Sequence, residues 1–295
     1  MDLRKLRLFL AVVDHGGFTR AAEAEFVSQP SVSQAIGELE RELGTALFHR
    51  LGRGVTLTSA GEALVAPARQ ALRDVETARA AVDAVAGLEG GHLDLCALPT
   101  LAVDPLAPLV GAFRTAHPLV TVTLADPDDA RAVASLVVDG TCEIGLTVEP
   151  PTDEPLDTVP LAPQELVAVY PPGSPARRTT TFADLVRFPL VTGMPGTSTR
   201  RLLDDACADA GVTPTFAVVT AQREAIVPLV LAGAGATMVP RPLADTARTL
   251  GATVVPFRPA VRRSVLLVVR HGARSPAADA FIALAGPPRS GVGIA

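Results

Sequence analysis

The sequence predicts a small, mainly helical N-terminal domain, a long linker helix and a larger C-terminal α/β domain with two lobes. Three observations support this assignment. Residues 1–58 show three short helices and a turn-rich strand pair, and residues 59–87 carry apolar positions at alternating spacings of four and three. From His92 onward, strand-like runs alternate with helical ones. The 295 residues accommodate two domains at roughly 150 residues each.

Composition and charge exclude several classes of protein. The chain has 26 Lys and Arg against 31 Asp and Glu, so it is not a polycation that coats nucleic acid. Its cysteines, Cys96, Cys142 and Cys207, form no paired motif, which favours a reducing compartment. Arg7 and Asp14 interrupt the N-terminal apolar stretch, and no apolar run approaches the ~18 residues that a membrane span needs. We therefore expect a cytoplasmic protein without membrane segments.

The N-terminal domain is predicted from its helix boundaries. Apolar residues at helical spacing predict a first helix over about Leu3–His15, which a glycine pair ends, and a second over about Thr19–Glu25. A third helix opens at Ser28, a plausible N-cap, with Pro30 in its first turn, and ends at Gly44. Two short apolar runs around a Gly-Arg-Gly tip then predict a hairpin.

A helix–turn–helix followed by a hairpin is the architecture of a winged DNA reader, whose second helix enters the major groove. The start of the third helix carries short, polar, uncharged side chains, which suit base edges, and nearby arginines suit phosphates. Arg53, at the hairpin tip, would reach a phosphate or a minor groove. Each residue taken alone fits a solvated surface as well. The predicted DNA-binding residues are Arg20, Gln29, Pro30, Ser31, Ser33, Gln34, Arg50 and Arg53.

The charge of the first 60 residues predicts that more than one copy binds each DNA site. Seven basic and seven acidic side chains cancel there, so a single copy should bind phosphates weakly. The next segment opens with a capping box at Ser59 and Glu62 and continues as a helix to about Ala86. Its seam predicts pairing with another helix rather than packing on its own chain, hence a homodimer or homotetramer. The seam comprises Leu64, Ala68, Ala71, Val75, Ala78, Val82 and Val85.

The C-terminal part contains two series of alternating elements, and the βαβαβ pattern of the first implies parallel strands joined by right-handed crossovers. The predicted strands cover residues 93–98, 120–124, 142–148, 165–170, 189–193, 215–219, 236–240 and 265–270. The predicted helices cover about 103–116, 128–139, 199–210, 223–232 and 276–285. The last strand and helix indicate that the chain returns to the first lobe.

The segment FTRAAEAEFVSQPSVSQAIGELERELGTALFHRLGRGVTLTSAGE closely resembles the winged helix–turn–helix of LysR-type transcriptional regulators, whose pattern runs AAE, SQPxxS, LExELGxxLFxR and LTxAG. The match is strong over about residues 3–62 and far less specific beyond. Glu25 departs from the family pattern because an apolar residue is usual there, and we expect Phe26 to take over that core position. Gly37 departs as well, and weakens its helix by roughly 1 kcal/mol relative to alanine.

The resemblance implies dimers assembled into tetramers on DNA and a periplasmic-binding-protein-like effector domain. A small inducer entering the cleft of that domain would switch transcription. The implied division is 1–58 for DNA binding, 59–87 for the linker helix, 88–91 for a hinge and 92–295 for the effector domain. Lobe I would cover about 92–161 and 267–295, and lobe II about 162–266.

The inducer site is predicted where strands end and helices begin, because ligands of open α/β sheets lie at the carboxyl ends of strands and helix N-termini favour anions. The family's inducer-contacting positions correspond most directly to Thr100 and residues 197–199. N-capping explains Ser198 and Thr199 equally well. The predicted inducer is small and anionic or polar, with an apolar one as the alternative. The predicted effector-binding residues are Thr100, Leu101, Thr147, Gly196, Thr197, Ser198, Thr199 and Thr220.

Three other functions agree less well with the sequence. A binding protein without a transcriptional role fits the two-lobed half alone, but not the first 60 residues. A redox-sensing regulator of the same family would need a reactive thiol, and Cys96 and Cys142 lie in strand runs where buried, inert thiols are expected. An enzyme is not indicated, since nucleophile, phosphate-loop and metal-ligand motifs are missing from the sequence. We expect no catalytic residue, metal or cofactor.

Overall fold

The computed structural model describes residues 1–51, 54–85, 90–149, 155–175, 177–272 and 274–286. Arg53, at the predicted hairpin tip, and residues 88–89 of the predicted hinge lie outside these ranges. The side chain of Arg50 is also outside the description.

The first elements form the predicted winged helix–turn–helix. Ser28 caps the third helix, its hydroxyl accepting a hydrogen bond from the Ser31 backbone N–H at 3.3 Å, and Gly44 ends that helix at φ 71°. Both caps are local sequence signals, which is why these boundaries were predictable. The elements are α1 (Leu3–His15), α2 (Phe18–Ala24), α3 (Gln29–Leu43) and the antiparallel hairpin β1 (Phe48–Leu51) and β2 (Gly54–Leu57).

The core of this domain packs around Phe9, whose ring lies 5.4 Å from that of Phe48. The expectation that Phe26 fills the core is wrong, because Phe26 is 95% exposed and has a left-handed backbone at φ 54°. The next residue, Val27, donates its N–H to the Ala22 carbonyl at 2.9 Å and packs against the core instead.

The long helix α4 (Ser59–Val85) begins as predicted, but its cap differs. Thr58, not Ser59, holds the first turn. The Thr58 hydroxyl accepts the Gly61 N–H at 3.0 Å, and its carbonyl accepts the Glu62 N–H at 2.8 Å. The predicted box is therefore wrong by one residue, since Ser59 already lies inside the helix.

The seam of α4 divides into two halves. Leu64, Ala68 and Ala71 pack against the core of the chain's own DNA-binding domain, which contradicts the prediction that the whole seam pairs with another helix. The sequence neighbours of α4 did not reveal this because the covering surface comes from α1. In the second half of the seam, Val82 is 68% exposed and Ala78 is exposed as well, so both are uncovered in the single chain.

The first α/β unit is a five-stranded sheet in the order β4-β3-β5-β12-β6. Strand β3 is parallel to β4 and β5, as the alternating pattern predicted, whereas β12 is antiparallel to both neighbours. The helices α6, α7 and α12 cover it. The elements are β3 (Gly91–Ala97), α5 (Pro99–Leu101), α6 (Ala107–Ala116), β4 (Val120–Ala125), α7 (Ala130–Val138), β5 (Ile144–Thr147), β6 (Leu156–Pro160), β12 (Leu266–Arg270) and α12 (Pro276–Ala285).

The second α/β unit has β7 at its centre, antiparallel to β10 and β11. Strands β8 and β9 are parallel, and a bridge between Leu190 and Ala236 joins them to this sheet. The elements are β7 (Gln164–Tyr170), α8 (Phe182–Leu185), β8 (Leu190–Gly193), α9 (Ser198–Asp209), β9 (Phe216–Thr220), α10 (Ile226–Leu231), β10 (Thr237–Pro240), α11 (Arg241–Thr249) and β11 (Thr253–Arg263).

The chain crosses between the two units twice, after β6 and after β11. Five elements had no clear sequence signal: α5, β6, α8, α11 and β11. The strand β11 is the one that bears on function, because it ends at the second crossing. Among the described residues, no helix is both long enough and apolar enough to cross a membrane.

Candidate functional site

A cavity of about 400 Å³ lies between the two α/β units. Its walls come from the residues after β3, the start of α9, and the segments around β10 and α10. Most of the exposed lining surface is apolar, as is usual for small-molecule sites. The polar lining consists of hydroxyl groups, the Arg223 guanidinium and the carboxylates of Asp128 and Glu224. The apolar lining includes Leu98, Val103, Ile226, Val227, Met238 and Leu243.

The structure brings half of the predicted effector-binding residues together on the cavity wall: Thr100, Thr197, Ser198 and Thr199. The other four lie elsewhere. Leu101 is fully buried in the core of the first unit, and the buried Thr147 hydroxyl has no hydrogen-bond partner among the described residues. Gly196 and Thr220 are outside the lining, and the Thr220 hydroxyl accepts the Gln222 N–H at 3.0 Å.

The N-terminus of α9 opens onto the cavity without a side-chain cap. Thr197 occupies the N-cap position, but its hydroxyl donates to the Met194 carbonyl at 2.9 Å instead of accepting from the helix. Helix α9 begins at Ser198, so neither Ser198 nor Thr199 is the N-cap residue. Its first N–H groups therefore remain available to an acceptor in the cavity.

Sequence reasoning missed Arg263, which lies behind the threonines and is 6% exposed. Its guanidinium donates from Nη2 to the Thr100 hydroxyl at 2.7 Å and from Nη1 to the Thr199 hydroxyl at 3.2 Å. Its Nε donates to Oε1 of Gln164, the residue directly opposite on β7, at 2.8 Å. Burial lowers the pKa of Arg263 to about 10, so it is protonated at neutral pH.

Gln164 connects Arg263 to the first unit. Its amide Nε2 donates to the Asp104 carbonyl at 2.8 Å and to the Asp104 carboxylate at 3.1 Å. The carboxylate thus faces the arginine through an amide and does not pair with it directly. This arrangement leaves the positive charge of Arg263 close to the cavity wall.

Two further contacts join the units across the cleft. Arg223 of the second unit lines the cavity and donates to the Asp128 carbonyl of the first unit at 3.1 Å. Arg201 of α9 pairs with Glu149, which follows β5, at 3.0 Å. The cavity is therefore bounded by groups that change partners if the units move apart.

The proposed DNA-reading surface is the start of α3. Gln29, Pro30 and Gln34 are exposed, while Ser31 and Ser33 are half-buried. Gln34 donates from Nε2 to Glu38 at 3.1 Å, a contact it must exchange to reach a base. Arg20 is exposed on α2, and Arg50 lies in β1.

The only lysine of the chain does not add free positive charge to this surface. Lys5 lies 2.6 Å from Glu42 and 3.1 Å from Glu38, and these carboxylates raise its pKa. Its hydrogen bond, together with that of the N-terminal amine, lowers the pKa of Glu42 to about 2. Positively charged contacts to phosphates would therefore come from arginines.

The three cysteines are free and buried, as expected for Cys96 and Cys142. Hydrogen bonding to Cys142 and burial raise the pKa of Cys96, and burial raises that of Cys207. Raised pKa values disfavour the thiolate, which is the reactive form. Within the described ranges, no group of metal-ligating side chains could hold an ion.

The fold and these two surfaces define a DNA-binding regulator with an attached small-molecule domain. Residues 3–62 match the family described as "Bacterial regulatory helix-turn-helix protein, lysR family", and residues 86–286 match "LysR substrate binding domain". The chain belongs to the LysR family of transcriptional regulators.

Relatives match over nearly their full length. The transcriptional regulator CbbR of Rhodospirillum rubrum is 30% identical, with 95% of this chain and 94% of CbbR covered. TfdS of Cupriavidus pinatubonensis is 32% identical, with 97% of this chain and 98% of TfdS covered.

Two solved full-length structures are similar at 25% identity. CbnR complexed with target DNA has a TM-score of 0.69, with 97% of this chain and 99% of CbnR covered. An OxyR variant from Pseudomonas aeruginosa has a TM-score of 0.76, with 97% of this chain and 93% of the OxyR chain covered.

Proposed function

We propose that this LysR-type regulator responds to a small anionic or polar metabolite held in the cavity by Thr100, Thr197, Ser198 and Thr199. One observation carries the proposal: two threonine hydroxyls and the uncapped start of α9 meet on one wall, with the Arg263 guanidinium behind them. Hydroxyls and helix N–H groups bind carboxylates without a full counter-charge. The apolar remainder of the lining would hold the ligand's carbon skeleton.

For DNA, we propose that Gln29, Ser31, Ser33 and Gln34 face base edges at the start of α3. Gln29 and Gln34 are exposed and the two serines are half-buried. Val32, Ile36 and Leu39 are fully buried on the opposite side of the helix, which supports this proposal. Arg20, Arg50 and Arg53 would contact the backbone phosphates, with Pro30 shaping the first turn of α3.

We also propose a homodimer or homotetramer joined through the second half of the α4 seam. The exposure of Val82 supports this assembly, as does the balanced charge of the DNA-binding domain. The division into residues 1–58, 59–87, 88–91 and 92–295 remains our proposal for the domains. Strand β3, however, already begins at Gly91.

Membership in a family of transcription regulators supports two further proposals. We propose that the protein catalyses no reaction and that it works in the cytoplasm. A redox-sensing role is the second candidate, and the buried thiols with raised pKa values disfavour it.

The proposed inducer site is tested by thermal unfolding of the full chain in the presence of small organic acids. Acids that stabilise the parent should stabilise Thr100→Val and Thr199→Val less, because each variant loses one hydroxyl on the cavity wall. Thr115→Val is the matched control, since its hydroxyl donates to the Gly111 carbonyl on α6, outside the cavity lining. Equal stabilisation of all four proteins would place the site elsewhere.

A further inference from the structure

We infer that Arg263 is a positioning residue that makes the cavity selective for ligands with a carboxylate or a similar anionic group. It acts by fixing the hydroxyls of Thr100 and Thr199 as hydrogen-bond donors toward the cavity. This inference rests on the proposed function because it concerns the same cavity. Arg263 itself lies behind the wall and contacts the ligand only through the two threonines.

The hydrogen bonds from Arg263 decide in which direction the Thr100 and Thr199 hydroxyls can donate. A guanidinium donates and never accepts, so each threonine oxygen that faces Arg263 must accept from it. A hydroxyl has a single hydrogen, and within the described part of the chain neither Thr100 nor Thr199 donates it to a protein acceptor. Both residues line the cavity, so both hydrogens are left for a ligand atom that accepts.

The positive charge of Arg263 also affects the cavity wall. Within the described residues, no carboxylate forms an ion pair with Arg263, and Gln164 stands between it and Asp104. The Asp104 carboxylate offsets part of this charge from beyond the Gln164 amide. A buried charge without a direct ion pair is still poorly screened, and its field extends into neighbouring space. The wall beside Thr100 and Thr199 therefore favours an anionic group over a neutral group of the same shape, whereas Asp128 and Glu224 place negative charge elsewhere on the lining.

The position of Arg263 in the chain connects the two threonines to the arrangement of the two units. Thr100 belongs to the first α/β unit and Thr199 to the second, and Arg263 lies where the chain crosses between them. An anionic group meets both donors only when the two units are close together. Binding of such a group is thus linked to the arrangement of the units, to the extent that its affinity differs between arrangements.

The experiment compares Arg263→Met, which removes the charge, with Arg263→Lys, which keeps it. Arg262→Met is the matched control, because Arg262 is the adjacent, exposed arginine on β11. The probes are butyrate, succinate and benzoate together with their uncharged primary amides. Thermal unfolding of the full chain gives an apparent dissociation constant for each probe.

We expect the acids to bind the parent and Arg262→Met at least tenfold more tightly than the matching amides. In Arg263→Met this preference should fall to about one, while Arg263→Lys should retain part of it. The inference is overturned if Arg263→Met keeps the preference for acids. It is also overturned if the parent prefers amides, or if none of the acids stabilises the parent.

A second measurement separates positioning from a purely structural role. Arg263→Met leaves the buried Gln164 Oε1 without its guanidinium donors, so without ligand this variant should unfold at a lower temperature than the parent. A purely structural role would weaken the binding of acids and amides equally, whereas a positioning role weakens the binding of acids alone, so an equal loss for both would overturn the inference. If Arg263→Met retains acid selectivity while Thr100→Val and Thr199→Val lose binding, the proposed site stands and only this inference fails. If acids stabilise both threonine variants as much as the parent, the proposed site itself fails.

Discussion

Arg73 of the linker helix lies directly against Gly140, and a Cβ built on Gly140 would overlap the Arg73 guanidinium. Gly140 also has a left-handed backbone at φ 74°, so two independent constraints favour glycine there. The neighbouring Arg69 contacts Asp139 at 3.5 Å and also pairs with Asp14 at the end of the first DNA-binding helix. One face of α4 thus holds the effector half and the DNA-binding half of the chain together.

We expect Gly140→Ala to destabilise the full chain by about 1–2 kcal/mol, because the backbone is strained and the methyl group forces the guanidinium at the end of the half-buried Arg73 side chain to move. Gly211→Ala is the matched control. Gly211 has a similar φ of 64° but nothing within 4 Å of its Cβ position, so only the backbone cost of about 1 kcal/mol applies. In an Arg73→Ala background, Gly140→Ala should cost no more than the control. Urea denaturation gives the free energy of unfolding of each protein. If Gly140→Ala costs the same with Arg73 as with Arg73→Ala, the contact between Gly140 and Arg73 is contradicted.

Gln34→Ala should relax base preference, losing about 1–3 kcal/mol of discrimination at one position of the DNA site, because a glutamine amide reads a base edge. Arg20→Ala should instead weaken binding to all sequences and reduce the salt slope by about one. The measurement is a titration of each variant against selected and random duplexes at several salt concentrations. An equal loss on both duplexes for Gln34→Ala would remove it from the reading surface.

Val82→Glu should shift the protein toward lower mass, since it places a charge in the exposed half of the α4 seam. Arg79→Glu is the control, because Arg79 is exposed on α4 but is not a seam position. Light scattering should give the parent and the control at least twice the chain mass of 30.5 kDa. A parent that is monomeric at micromolar concentration would contradict the prediction.

The three thiols should resist alkylation by iodoacetamide in the native protein, with rates on the order of a hundredfold slower than after unfolding. All three are buried, and Cys96 and Cys207 have raised pKa values. Mass spectrometry of timed samples gives the rate at each cysteine. Rapid native labelling of any one of them would revive the redox-sensing alternative.

The raised pKa of Cys96 also predicts how stability depends on pH. The folded state keeps a thiol proton that the unfolded chain releases near pH 8.5. This contribution to stability is complete below that pH and declines as the pH rises above it. Urea midpoints from pH 7 to 10 should therefore fall less steeply for Cys96→Ala than for the parent.

The DNA-binding domain was predictable because its signals are local. Ser28 and Gly44 mark the ends of α3 within a few residues, and the apolar spacing between them is regular. The cap of α4 was placed one residue late because Thr58 and Ser59 are both good capping residues. Phe26 was misplaced because a sequence pattern does not show which residue takes the left-handed turn.

The cavity was only half predictable because it depends on contacts between distant segments. Thr100 and Thr199 were found from strand and helix ends, but Arg263 comes from a strand that lacks the usual alternation. Prolines at 256 and 259 and a register shift between Pro256 and Val261 break the pattern of β11. Arg263 and Gln164 are 99 positions apart in the sequence, and no local pattern near either residue predicts their contact.

The interior position of β12 has a consequence for synthesis on the ribosome. Strands β3 to β6 emerge first, yet β5 and β6 cannot join until β12 arrives between them. The second unit is continuous in sequence and is translated completely in the interval, which lasts roughly 5–20 s at ordinary rates. The nascent protein therefore carries a finished second unit while the sheet of the first unit is still open, and the cavity between the units faces that incomplete sheet until β12 closes it.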